Sequence, residues 1–165
     1  MIDDVTKALI ENDITIATGV PDGYLVPLIK ELEDSPKIDY ITAAREEECF
    51  GIASGAVMSG KRTLVLMQNS GFLNSIGCFS TLCQSYQVPF VCLIANRGNI
   101  NDGNSYDPNK YRSYMATLKA LNLFYIASSW QDLPTNISKA VKRADGGREP
   151  VFINIEEPLS QTETC

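Results

Sequence analysis

Glu46 opens the stretch of this sequence with the clearest capacity for chemistry. Three acids, Glu46, Glu47 and Glu48, follow a strand-like run over 38–42 and stand where a helix should begin. The positive end of a helix dipole favours negative charge there. Small residues come next: Gly51, Ala53, Ser54, Gly55 and Ala56. A helix this bare lets another backbone approach closely. Glycine is a poorer helix former than alanine by about 1 kcal/mol, so Gly51, Gly55 and Gly60 call for a packing reason, within the chain or against a partner. Helical spacing puts Glu46, Cys49, Phe50 and Ala53 on one face. A carboxylate thus heads an apolar stripe just past the carboxyl end of a strand, where open α/β sheets hold ligands. Acids in a first helical turn also act as plain caps, and this stretch alone leaves both readings open.

Three more segments offer functional groups, each just after a strand-like run. Gln68-Asn69-Ser70-Gly71 carries two amides, a hydroxyl and a glycine backbone, suited to hydrogen-bonding a polar ligand or to capping the helix behind it. Gly19-Val20-Pro21-Asp22-Gly23 has the composition of a turn. Over 96–110 a polar loop holds five asparagines and two aspartates. Its cations, Arg97 and Lys110, could meet an anionic substrate or lie in solvent.

Composition narrows the function. The 165 residues suffice for one domain with a real core, and 44% hydrophobic against 21% charged residues describes a globular chain. A net charge of −6 with no basic stripe argues against a nucleic-acid partner. There is no histidine, which removes Ser–His and Cys–His nucleophile systems and the commonest metal ligand. The five cysteines, 49, 78, 83, 92 and 165, form no C-x-x-C pair, so neither a disulfide framework nor a zinc site is suggested. Cys49, Cys78 and Cys92 lie in apolar runs and read as buried packing residues. The N-terminus reads as an acidic amphipathic helix rather than a signal peptide, and no apolar run approaches ~18 residues. The expectation is a cytoplasmic protein with no membrane partner.

The elements that must position these groups follow from periodicity. Helices are predicted over 3–12, 24–33, from the three acids to about 59, 73–85, 111–121 and 131–144. Strands are predicted at 14–18, 38–42, 63–67, 89–95, 124–127 and 150–155. Segments 68–72 and 96–110 read as loops, and 156–165 as a frayed terminus. Six alternations of strand and helix, with continuously apolar strands, predict a three-layer αβα fold around a six-stranded, mainly parallel sheet. Parallel strands bring all four chemical segments to one rim.

Those segments together resemble the pyrimidine-binding half of thiamine-diphosphate enzymes. More narrowly, they are similar to the α subunit of sulfopyruvate decarboxylase and the N-terminal region of phosphonopyruvate decarboxylase. The match is carried by Thr18-Gly19-Val20-Pro21-Asp22, by Glu46 with Ala53 and Gly55 behind it, by Met67-Gln68-Asn69-Ser70-Gly71 with Asn74, and by Arg97-Gly98. The resemblance implies that Glu46 hydrogen-bonds a ring nitrogen of the cofactor's aminopyrimidine and favours the imino tautomer, whose nitrogen takes the thiazolium C2 proton. The thiazolium then attacks a 2-oxo acid and takes up the electrons as carbon dioxide leaves. It implies that Gln68, Asn69, Ser70, Gly71 and Asn74 join Glu46 at the cofactor. Pro21, Asp22, Gly23, Asn69, Arg97 and Lys110 would face the substrate, and Glu47 and Glu48 would cap the helix or face a partner.

The family holds the diphosphate and Mg²⁺ on a second domain through a Gly-Asp-Gly run followed by an asparagine. Asn101-Asp102-Gly103-Asn104 only echoes that run, and no metal ligand is assigned to this chain. The resemblance therefore implies one pyrimidine-binding domain over 1–165. A separate diphosphate-binding β subunit would complete a heteromer such as α₂β₂, with Gly51 and Gly55 at an interface. Two departures bear on the substrate. Lys110 stands where those decarboxylases have a histidine, and Gly23 where serine is common. The substrate is then a small 2-oxo acid with a second anion, sulfonate, phosphonate or carboxylate. An acyloin-forming carboligase subunit and a non-catalytic regulatory subunit are the alternative readings.

Overall fold

A computed structural model describes residues 1–100, 102 and 108–159. Six strands, β1 (Ile14–Gly19), β2 (Asp39–Thr42), β3 (Arg62–Gln68), β4 (Val91–Ala95), β5 (Tyr125–Ser128) and β6 (Val151–Ile155), form one sheet. Its order is β2-β1-β3-β4-β6-β5, and every pairing is parallel.

Side chains alternate along each interior strand and build a different core on each face. Leu64, Leu66, Leu93 and Ile153 point to an aliphatic side covered by α1 (Ile2–Glu11), α2 (Val26–Glu33) and α7 (Leu133–Gly147). Val65, Met67, Cys92, Ile94 and Phe152 point to the other, covered by α3 (Glu46–Met58), α4 (Asn69–Asn74), α5 (Ile76–Cys78), a π-helical turn (Phe79–Gln84) and α6 (Pro108–Ala120). Phe72 is central to this aromatic side, its ring 5.0 Å from Phe152, 5.1 Å from Phe79 and 5.8 Å from Tyr114, all edge-on. The edge strands β2 and β5 are short and half open, with Ile41 and Tyr125 exposed.

Several predicted boundaries shift. Segment 68–72 is no loop: β3 runs through Gln68 and α4 begins at Asn69. Gln, Asn, Ser and Gly are weak helix formers, but burying Phe72 among four aromatic rings outweighs their preference. The predicted 73–85 helix is broken at Ser75, whose hydroxyl turns back to the Gly71 carbonyl at 2.5 Å. Helix α6 starts at Pro108, a residue suited to a first turn, rather than at 111. The segment after β6 is tied down as far as Glu157, whose carbonyl accepts the Trp130 indole N–H at 3.2 Å, so the frayed terminus does not begin at 156. Cys49, Cys83 and Cys92 are buried as free thiols, whereas Cys78 is partly exposed.

Gly51 and Gly55 are exposed, and a Cβ at either would meet nothing within 4 Å. Close packing inside the chain is therefore not what these glycines serve. Among the described residues no helix is long and apolar enough to cross a membrane.

Candidate active site

The direction of the chain on the sheet reverses between β1 and β3. The segment after β1 leads to α2 on the aliphatic face, while β3 leads to α4 on the aromatic face. A crevice of this kind, beyond the carboxyl ends of the strands, is where open α/β sheets bind ligands. Register then sets the rim. Gln68 pairs with Ala95, and Ala95 with Ile155, so Asn69, Asn96 and Glu156 emerge side by side as the first residues beyond β3, β4 and β6.

Glu46 begins α3 and is partly buried. Its side chain lies directly on the Gly71 backbone, so that a Cβ at Gly71 would overlap it, coming 2.6 Å from the carboxyl carbon. Glycine at 71 is thus what lets the carboxylate reach this position. Among the described residues the Glu46 carboxylate has no hydrogen-bond donor. Its neighbours have separate duties. Glu48 Oε2 accepts the Ala44 and Arg45 backbone N–H groups at 2.9 and 3.4 Å, and Glu47 pairs with Arg45 at 3.0 Å. Glu48 is the helix cap, which frees Glu46 from that role.

On the other side of the crevice the side chains lock one another. The Gln68 amide donates to Asp22 Oδ2 at 2.9 Å, and the Ser70 hydroxyl donates to Gln68 Oε1. Asp22 Oδ1 accepts the Tyr24 backbone N–H at 2.9 Å, closing the turn after β1. Arg97 reaches both Asp22 at 3.3 Å and Asp102 at 2.9 Å, with its guanidinium 4.6 Å from the centre of the Tyr24 ring. Exposure of the three charged side chains is low, 18% for Arg97, 8% for Asp22 and 1% for Asp102. Arg97 was expected to meet a substrate anion; within the chain two carboxylates already compensate it.

Asp102 is held by more than Arg97. The Gly98 N–H and the Tyr24 hydroxyl also donate to it, at 2.5 and 3.1 Å. Burial acts to raise its pKa, but the Arg97 and Gly98 hydrogen bonds outweigh burial and hold the carboxyl below its usual range. Burial and the nearby Asp102 push the Tyr24 phenol up to about 12. Because the folded pKa of Asp102 is depressed, its contribution to stability is complete above the ordinary carboxylate range and is lost as pH falls through the depressed value. Asp102→Asn is therefore expected to lower stability by about 2 kcal/mol at neutral pH. Its deficit relative to wild type should shrink steadily below about pH 4. Urea unfolding at pH 7 and pH 3 measures both, and an equal deficit at both would refute the clasp.

The remaining predicted site residues are more dispersed. Asn74, at the end of α4, and Gly23, in the turn after β1, are exposed, as is Pro21. Lys110 sits in the first turn of α6, partly buried. Residues 101 and 103–107, including Gly103, Asn104, Tyr106 and Asp107, lie outside the described residues. Sequence reasoning passed over Tyr24, Asn96 and Glu156. The signal that could have found the last two was positional, since each directly follows a buried apolar strand at the rim.

Residues 2–118 match the family described as thiamine pyrophosphate enzyme, N-terminal TPP binding domain. The chain belongs to this family. Among relatives of this TPP binding domain, the sulfopyruvate decarboxylase subunit alpha of Methanococcus maripaludis is 36% identical over 156 residues, covering 94% of this chain and 89% of that one. The subunit of the same name from Methanocaldococcus jannaschii is 40% identical over 98 residues, 59% of this chain and 58% of its own. Benzoylformate decarboxylase from Polynucleobacter necessarius superposes with a TM-score of 0.70 at 17% identity, covering 99% of this chain and 32% of that one. The TPP binding domain described here thus corresponds to about a third of the solved enzyme, and at that identity the likeness is one of fold.

Proposed function

We propose that this chain is the pyrimidine-binding subunit of a heteromeric, thiamine-diphosphate-dependent decarboxylase of a small 2-oxo acid, with Glu46 as its catalytic residue. The observation that carries this reading is the Glu46 carboxylate lying on the bare Gly71 backbone at the strand-end crevice, with no donor among the described residues. The residues present fit the pyrimidine end of the cofactor. Gly71 leaves room beside the carboxylate, and the buried Asn69 Oδ1 has no donor among the described residues. Glu46, Gln68, Asn69, Ser70, Gly71 and Asn74 would hold the ring. Bound there, thiamine diphosphate supplies the electron sink that lets a 2-oxo acid lose carbon dioxide.

The chain's own groups have separable tasks. Glu46 Oε1 or Oε2 would hold a hydrogen bond, and pass a proton, at a ring nitrogen of the bound cofactor. The Ser70–Gln68–Asp22 chain fixes the floor of the crevice. Arg97 fastens Asp22 and the segment after β4, so that Pro21, Asp22 and Gly23 form one wall of the substrate space. Lys110 is proposed to meet the second anion of the substrate. Diphosphate and Mg²⁺ would be held mainly by a β subunit in an assembly such as α₂β₂. The words "subunit alpha" in the relatives' names support a second subunit, as does the exposed Gly51–Gly55 side of α3. Among the described residues no cluster of three or more Cys, Asp or Glu is placed to hold a metal. The cytosol is the proposed setting.

Reconstitution tests the reading. The chain, its partner subunit, thiamine diphosphate and Mg²⁺ are mixed with 2-oxo acids bearing sulfonate, phosphonate or carboxylate. The expected products are carbon dioxide and the corresponding aldehyde. A new carbon–carbon bond would move the assignment to a carboligase. Absence of both cofactor binding and turnover would reject it.

A further inference from the structure

Asn69, Asn96 and Glu156 leave the sheet in a row, and their hydrogen bonds run in one sense. The Asn96 amide donates to Glu156 Oε1 at 2.9 Å, and Asn96 Oδ1 accepts the Asn69 amide at 3.1 Å. The Asn69 amide also donates to the Arg97 carbonyl at 2.8 Å. Glu156 Oε2 and the Glu156 carbonyl accept the Asn99 amide at 3.2 and 2.6 Å. Both carboxylate oxygens therefore act as acceptors; burial raises the Glu156 pKa, while the Asn96 and Asn99 hydrogen bonds favour the ionised form that accepts on both sides. That choice propagates. Asn96 has to turn its NH₂ to Glu156, so its oxygen faces Asn69, and two acceptors, Asn96 Oδ1 and the Arg97 carbonyl, then hold the Asn69 NH₂ inward. The one group left over is Asn69 Oδ1, buried and without a donor among the described residues. A buried acceptor left unpaired is costly unless something binds to it.

We propose that Glu156 is a positioning residue: it sets the sense of the Asn96 amide, which together with the Arg97 carbonyl holds the Asn69 NH₂ inward and so presents the Asn69 carbonyl oxygen to a hydrogen-bond donor of the bound ligand. The ligand half of this proposal rests on the cofactor reading above. An ionised 2-oxo acid carries acceptors only, so the donor is the amine of the aminopyrimidine or the substrate's ketone oxygen once it has gained a proton.

Glu156→Gln keeps shape and burial but lets Asn96 reverse, with the new NH₂ on Asn96 Oδ1 and its oxygen toward Asn99; the Asn96 NH₂ then opposes that of Asn69, which must bear the conflict or give up the Arg97 carbonyl. In the complex with the partner subunit, it is expected to cost about tenfold. The loss falls on calorimetric affinity for thiamine diphosphate if the donor is the cofactor amine, and on kcat at unchanged affinity if it is the ketone oxygen. Asn69→Asp forces Asn96 to face two carboxylates and should be worse. Adding Glu156→Gln lets Asn96 reverse, so the double variant should recover about tenfold over Asn69→Asp alone. A merely structural role for Glu156 predicts additive losses instead. The proposal is overturned if Glu156→Gln stays within about twofold of wild type on both readouts, or if the double variant shows no recovery. Should the variants fail to fold, neutron diffraction on the wild-type chain decides the relay, because deuterons on Asn96 Nδ2 must point to Glu156. A wild-type complex that binds no thiamine diphosphate overturns the cofactor reading and the ligand half with it, whatever that map shows.

Discussion

Glu46→Gln is expected to lower turnover of the reconstituted assembly by about 10²–10⁴-fold while leaving the fold intact. The substitution is isosteric, so the side chain still rests on Gly71 and the helix keeps its cap through Glu48. What disappears is the ability to hand a proton back and forth at the carboxyl oxygen. Unfolding midpoints should match wild type, and thiamine diphosphate should still bind, since Gln can hydrogen-bond a ring nitrogen. Glu46→Asp keeps the chemistry but withdraws the carboxyl by one methylene and should fall between the two. Near-wild-type turnover by Glu46→Gln would remove Glu46 from the mechanism and leave the non-catalytic reading standing.

Gly71→Ala is the second large effect, and it separates activity from stability. The new methyl would overlap the Glu46 side chain, which must swing away. The overlap includes Glu46 Cγ as well as the carboxyl, so the side chain must change rotamer at χ1 rather than move only its tip, and alanine, the better helix former by about 1 kcal/mol, offsets part of that cost. Unfolding free energy should therefore stay within about 1 kcal/mol of wild type. Turnover should drop about a hundredfold, since displacing a catalytic group by about 1 Å costs that much. Because both changes act through one carboxylate, Gly71→Ala combined with Glu46→Gln should be hardly slower than Glu46→Gln alone. Full additivity would mean that Gly71 serves the site independently of Glu46.

The central strands were legible because both faces are covered. Leu64–Met67 and Val91–Ala95 are unbroken apolar runs, and the alternation of strands with helices left a parallel sheet as the economical reading. Helix α4 was not legible, because Phe72 settles its conformation through rings from residues 50, 79, 114 and 152. The functional groups of the rim could be named from their types, but their pairing could not. Arg97 finds Asp22 across 75 residues, and Asn96 finds Glu156 across 60. A loop cation therefore looked available although two acids hold it, and a terminal acid looked idle although two asparagines bind it.

The strand order has a consequence for biosynthesis. β6 follows the other five in the chain, yet it lies inside the sheet, between β4 and β5. Until it emerges from the ribosome, β4 presents a bare edge and β5 has no neighbour at all. Such edges invite pairing with other nascent chains. Glu156 arrives with that same strand, so the gap in the sheet and the row of amides at its rim are completed in a single step, after the other five strands have emerged.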